Sequence, residues 1–308
     1  VQGDTEFASV EQQRHLLASA PTDFDRYSAA RIMAEEQRHG WQMAYLLMTY
    51  FGQQGRREAQ KLLERNAQDG DRLLGAFNIP MPHWLDFFCY TMFVDRDGKF
   101  QLGMLSTSAF KPLAASMGPM LKEEAFHLGT GFNGLRRIIK AGVIPLDLLQ
   151  RYINKWVSTA HDLFGVDASS SAHWAYVWGV KGRWDERKKL EAGIEVDKAT
   201  LNEESRGHYH EEIVGEVRKL CGYLSDDAPK LYVPHENFNR SIGTAKGQRF
   251  NVDGTPFEGS DDDWNAYLQS NLPTDQDETD LKELFKLEWI ANKPMSTRQI
   301  ESGIGVSA

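Results

Sequence analysis

Cysteine is scarce in this sequence: Cys89 and Cys221 are the only two, they lie far apart, and no C-x-x-C occurs. Zinc or iron–sulfur sites built from thiolates are therefore excluded. Cys89 lies in the apolar run WLDFFCYTMF and is expected to be a buried free thiol. So little cysteine suits a reducing cytoplasm. An excess of positive charge is also missing. Lys and Arg number 35 against 44 Asp and Glu, a net charge of -9 with pI near 5.5. This argues against nucleic acid or an anionic membrane as the main partner. No apolar run is long enough to span a bilayer, and no signal peptide is visible. Sustained strand alternation is absent. The chain starts at Val1 without an initiator methionine, which points to a processed or truncated piece of something longer.

What is present is helix. With 308 residues, 41% of them hydrophobic, the chain can bury one large core. Apolar spacing predicts helices over residues 4–18, 24–51 and 56–77, then from about His83 towards Phe110. Lys111-Pro112 breaks that helix. The next is expected over 113–140, bent at Pro119 and ended by Gly142, with another over 145–164. Asp23 and Asp25 offer caps for the second helix and Gly52 a stop. Residues 172–224 read as helical but rich in charge and tryptophan. From about Lys230, Pro, Gly, Asn and Asp accumulate, and GSDDD (259–263) and PTDQDE (273–278) read as loops. The expected architecture is all-α: a four-helix bundle over 1–165. A helical and loop-rich extension over 166–308 packs on it as part of one globular unit.

The chemistry starts in the second predicted helix, at EEQRHG. Glu36 and His39 are three residues apart, so they share a helix face and reach one point beside it. A carboxylate oxygen and an imidazole nitrogen suit divalent iron or manganese. About one E-x-x-H per chain of this size arises by chance, and a single copy is more readily read as a solvated pair. A second copy, in KEEAFHL, gives Glu124 and His127. Each copy has an acid one helix upstream: Glu6 lies 30 residues before Glu36, and Asp95 lies 29 before Glu124. Four antiparallel helices so arranged supply four carboxylates and two histidines, the set of a di-iron or di-manganese carboxylate site. Asp97 competes with Asp95. Periodicity does not separate them, and the matched interval favours Asp95. Glu35 and Glu123 fall about 100° round their helices from the proposed ligands, as supporting or surface groups.

Other motifs carry less. GTGFNG (129–134) fits G-x-G-x-x-G but follows a helix, so its glycines are read as allowing close helix packing. HYHEE (208–212) is read as a solvated helix face. The tryptophans of HWAYVWGVKGRW (173–184) are read as packing residues in preference to pocket walls.

EEQRHGWQM, FVDRDGKFQLGML and MLKEEAFHLGTGFNGLRRI resemble the B-subunit oxygenase components of benzoyl-CoA 2,3-epoxidases, a family of ferritin-like di-iron monooxygenases. The resemblance runs through essentially the whole chain, and family members are longer at the N-terminus. It implies that Glu6, Glu36, His39, Asp95, Glu124 and His127 hold two iron ions. It implies O2 as co-substrate and benzoyl-CoA as substrate. One oxygen atom would be added across C2–C3 of the ring and the other would leave as water. It also implies a separate NADPH-dependent reductase with flavin and iron–sulfur centres, since no motif for these stands in the sequence. Phe88 and Met92 are then expected to shape the ring pocket. Arg136, Arg137 and Lys140, and Lys181, Arg183, Arg187, Lys188 and Lys189, are candidates for the CoA phosphates. Gln2, one turn before Glu6, is a candidate for supporting that ligand or touching the thioester. Three rivals stand beside this. Acyl-carrier-protein desaturases carry EENRHG but have a basic residue where Phe126 stands. A ferritin-type store would be shorter. A metal-free scaffold would not need six intact ligands.

Overall fold

The structure is a computed structural model and describes residues 1–182, 186–194 and 200–291. Among these, regular structure is helical, and the nearest approach to a sheet is one bridge between Phe250 and Pro256. The fold is all-α and ferritin-like. Its bundle consists of α1 (Gln2–Gln13), α2 (Asp23–Tyr50), α4 (Trp84–Leu105) and α5 (Lys111–Ala141). α1 packs on α2 and α4 on α5, and α2 meets α5 to join the pairs. α3 (Gly52–Glu64) folds back on α2, and α6 (Leu146–Leu163) covers the far side of α4. No described helix is long and apolar enough to cross a membrane.

Local chemistry sets these boundaries. Thr22 Oγ1 accepts from the Asp25 N–H at 3.2 Å, and Asp23 and Asp25 lie at the positive end of α2. Pro112 occupies the first turn of α5, where its missing N–H costs nothing, and Gly142 ends the helix in the left-handed conformation (φ 63°). α4 is apolar on nearly every side of its first half because it is the central helix, with α5, α6 and α9 (Leu201–Cys221) around it. Trp84, Phe87, Phe88, Tyr90, Phe93, Tyr152 and Trp156 form the middle of the core, each contributing about 1.5–3 kcal/mol by burial. Gly131 and Gly134 bring α5 close to α4. A Cβ at Gly131 would meet the Met92 backbone nitrogen, and one at Gly134 the Phe88 ring. The packing role expected of GTGFNG is thus borne out at these two glycines.

Several expectations change. The helix expected over 56–77 stops at Glu64. Arg72 turns inward to Asp4 (3.2 Å) and Glu11 (2.7 Å), and Gly70 takes a left-handed turn, so these contacts outweigh helix propensity. GSDDD and PTDQDE are helix starts. Ser260 with Asp263, and Thr274 with Asp277, form capping boxes for α10 (Asp261–Asn271) and α11 (Asp275–Leu284). HYHEE is only partly solvated: Glu211 is exposed, but Tyr209 is buried and donates to Phe93 O at 3.1 Å. Its neighbour His210 stacks on His161, and Glu212 binds Lys99 at 2.7 Å. α7 (Ser170–Val177) buries none of its residues, and Trp174 and the adjacent Trp178 lie on the surface against each other; Trp184 lies outside the described residues. α8 (Glu186–Glu191) is a short helix between the undescribed stretches.

Candidate metal centre

All six predicted ligands are buried, and they meet inside the four-helix bundle. Glu6, Glu36 and His39 form one group with ligand atoms within 4.8 Å of one another, and Glu36, Asp95 and His127 form a second. Glu36 belongs to both. His39 Nδ1 lies 3.3 Å from Glu6 Oε2. His127 Nδ1 lies 3.1 Å from Glu36, 3.4 Å from Glu124 and 3.9 Å from Asp95. Both imidazoles thus turn Nδ1 to the centre.

Their outer nitrogens are held crosswise. His39 Nε2 meets Glu123 Oε2 of α5 at 2.6 Å, and His127 Nε2 meets Glu35 Oε2 of α2 at 3.0 Å. Each glutamate is itself held by an arginine: Glu123 by Arg38 at 2.6 Å, Glu35 by Arg31 at 2.9 Å. Each motif therefore orients the histidine of the other. Such an outer carboxylate fixes the imidazole tautomer and raises its basicity as a ligand. The sequence carried a signal for this: a glutamate stands immediately before the proposed ligand in both motifs.

The electrostatics fit a site built for cations. Burial, and next the Glu6 carboxylate, push Glu36 well above the usual carboxylate range. Burial and then Glu124 do the same to Asp95. Burial opposes ionisation of Glu6, but the neighbouring His39, Glu36 and Gln2 outweigh it and hold this carboxyl low. Burial also opposes charge on His127, where Glu124, Glu35 and Glu36 prevail and raise it well above its ordinary value. His39 Nδ1, His127 Nδ1, Asp95 Oδ2 and Glu124 Oε2 are buried with no hydrogen-bond partner among the described residues. Orphaned buried polar atoms are costly. Two imidazole nitrogens and two carboxylate oxygens, lying in and beside two groups that share Glu36, are of the donor types that iron or manganese accepts.

Asp97 sits apart from the two ligand groups. It accepts from Gln101 Nε2 at 3.0 Å, and burial pushes it up to about 7 against the pull of Gln101 and Lys181. Gln2 donates to Glu6 Oε1 at 2.5 Å, a supporting contact. Beside the cluster is a cavity of about 90 Å³. Glu6, Glu36, Asp95, Asp97, Gln101 and Glu124 supply its polar lining, and Leu74, Phe77, Tyr90, Val94 and Leu163 its apolar walls. Phe88 and Met92 are not among its walls: both are core residues, Phe88 with its ring against Gly134 and Met92 with its backbone nitrogen nearest Gly131. Helical periodicity placed them near Asp95 but could not tell the cavity side from the seam.

The expected phosphate cations are mostly engaged elsewhere. Arg137 is ion-paired with buried Asp25 and donates to Ala291 O. Arg136 and Lys140 lie over the Tyr223 ring. The Lys181 ammonium is buried between Gln101 and Asn202, at 2.8 Å from each. Lys189 reaches Glu204 at 3.2 Å. Arg183 and the Arg187 side chain lie outside the described residues.

A helical bundle with paired carboxylate–histidine motifs around a buried cluster defines a ferritin-like protein. Residues 1–229 match the family model described as phenylacetic acid catabolic protein, and the chain belongs to that family. It is 38% identical over 320 aligned residues to benzoyl-CoA oxygenase component B of Aromatoleum evansii, covering 90% of this chain and 67% of that protein. This bears out the resemblance read from the motifs. It is 24% identical over 177 residues to one of the subunits of 1,2-phenylacetyl-CoA epoxidase from Escherichia coli (strain K12), covering 57% of this chain and 51% of that one. The chain thus spans about two thirds of the first relative and half of the second.

Proposed function

We propose that the chain is the oxygenase component of a multicomponent monooxygenase that epoxidises the ring of an aryl-CoA thioester, with benzoyl-CoA the substrate favoured by the more similar relative. One observation carries this: both histidines turn an orphaned Nδ1 to a centre where buried carboxylates also lack partners. Glu6, Glu36 and His39 would hold one iron ion, and Asp95, Glu36 and His127 the other, with Glu124 beside His127. When bound, the iron pair supplies the electrons that reduce O2. The overall balance is substrate, O2, two electrons and two protons giving epoxide and water.

The chain's own residues do the rest. Glu35 and Glu123 hold the histidine rings in place. Leu74, Phe77, Tyr90, Val94 and Leu163 exclude water from the reacting ring. A cavity of about 90 Å³ is too small for a whole CoA thioester, since ligand clefts of that class run to roughly 300–1,000 Å³. It therefore holds the acyl end, and the CoA tail lies outside. The sequence offers no flavin, nicotinamide or iron–sulfur motif, so the electrons come from a separate reductase, read as NADPH-dependent. The test is oxygen uptake by iron-loaded protein with a chemical or enzymatic reductant, with free benzoate as control. Uptake that depends on benzoyl-CoA supports the reading. Its absence in an iron-loaded sample overturns it.

A further inference from the structure

Beyond Asp95, α4 carries a polar set that the metal assignment leaves unused. Gln101 lines the same cavity as Glu6, Glu36, Asp95 and Glu124. Behind it, Lys181 donates from Nζ to Gln101 Oε1 and to Asn202 Oδ1, both at 2.8 Å. A lysine ammonium can only donate. It therefore fixes the Gln101 amide with its carbonyl towards Lys181 and its NH2 towards the cavity wall. From there Nε2 donates to Asp97 Oδ1 at 3.0 Å, but reaches Leu163 O only at 3.5 Å, the outer limit of a hydrogen bond. One amide hydrogen is well held and the other is weakly held, in a wall where Val94 and Leu163 are apolar. Burying an ammonium is expensive, and burial pushes Lys181 down to about 8. Such a charge is out of proportion to the task of joining α4 to α9.

We propose that Gln101 donates its weakly held amide hydrogen to the carbonyl oxygen of the acyl thioester in the metal-side cavity, and that Lys181 is the positioning residue that keeps the amide in that orientation. This rests on the aryl-CoA reading above. It makes Gln101 a specificity residue: it selects a thioester carbonyl over a group of the same shape without the acceptor. A bound carbonyl replaces the 3.5 Å contact to Leu163 O with a better-aligned bond.

The test is calorimetric binding to the full chain as isolated, kept anaerobic and without reductant so that nothing turns over. The ligands are benzoyl-CoA and S-benzyl-CoA, in which a methylene replaces the carbonyl. Wild type should bind benzoyl-CoA about tenfold tighter than S-benzyl-CoA, the worth of one well-made hydrogen bond. Gln101→Leu should bind the two equally, with S-benzyl-CoA affinity unchanged. Lys181→Met, which frees the amide to turn over, should shrink the preference towards unity, again without weakening S-benzyl-CoA. A preference that survives in Gln101→Leu overturns the proposal. Equal wild-type affinity for the two ligands also overturns it and leaves the aryl-CoA reading standing, and this arm needs no variant to fold. Wild-type protein that binds neither ligand overturns both.

Discussion

His39 and Glu123 are separated by 84 residues, yet Nε2 of the one meets Oε2 of the other at 2.6 Å, and His127 meets Glu35 in the same way across the bundle. The two motifs are therefore one device. Each offers candidate ligands from one residue pair and an orienting carboxylate from the residue before it. Glu123→Gln keeps the shape and removes the charge, so metal affinity should fall about 10–100-fold by chelator competition, with helix content unchanged. An unchanged affinity would reduce the crossed contact to packing.

The ligand cluster should destabilise the metal-free protein. Burial and Glu6 disfavour charge on Glu36, and neighbouring donor atoms lack partners. Glu36→Gln should raise the melting temperature of metal-free protein by the order of a few degrees, since relief of a buried repulsion is worth about 1 kcal/mol or more. The same variant should lose the rise in melting temperature that added divalent metal gives wild type. Differential scanning calorimetry with and without metal reads both; a metal-induced rise that persists in the variant would remove Glu36 from the ligand set.

Three glycines in one helix should respond in different ways. Gly131→Ala and Gly134→Ala would each drive a methyl into α4 and should cost about 1–3 kcal/mol by overpacking. Gly129→Ala meets nothing within 4 Å and should stabilise α5 by about 0.5–1 kcal/mol. Urea midpoints of the three variants check this, and equal effects would contradict the described seam.

Acid should weaken the fold through His83. Its Nδ1 accepts from the Asp86 N–H at 3.3 Å and its Nε2 meets Tyr152 Oη at 2.9 Å. Burial, then Lys155 and Lys282, push it down to about 3 from its usual 6.5. Below pH 6.5 the unfolded chain takes up a proton there and the folded chain does not until about 3, so stability falls as pH falls through that window. At pH near 5 the loss from this group is about 2 kcal/mol. His83→Asn keeps a capping acceptor and removes the titration. Its urea midpoint should change less between about pH 7 and pH 5 than that of wild type, and an equal change would contradict this source of acid sensitivity.

The bundle and the paired motifs were legible in the sequence because helical period, glycine stops and the E-x-x-H repeat are local signals. Asp95 was separable from Asp97 only by the matched interval, and it is Asp95, not Asp97, whose carboxylate gathers with Glu36 and His127 in a group that could hold a metal. Errors arose where long-range contacts override local pattern. Arg72 ends a helical run by turning to Asp4 and Glu11. HYHEE looks solvated, yet Tyr209 reaches the Phe93 carbonyl of a helix more than a hundred residues earlier. The cavity walls Leu74, Tyr90 and Leu163 come from separate segments, and no periodicity within one helix brings them together. Gln101 carries no local signal in the sequence, because its orientation depends on Lys181, which lies 80 residues on.

Six side chains, four from the two motifs and one from the acid upstream of each, are expected to hold two metal ions. Anaerobic titration of metal-free chain with ferrous iron, read by iron-57 Mössbauer spectroscopy, tests this directly. About two irons per chain are expected in wild type and one or fewer in His127→Ala at unchanged helix content. Wild-type protein that takes up fewer than two irons, or a His127→Ala variant that still holds two, would contradict it.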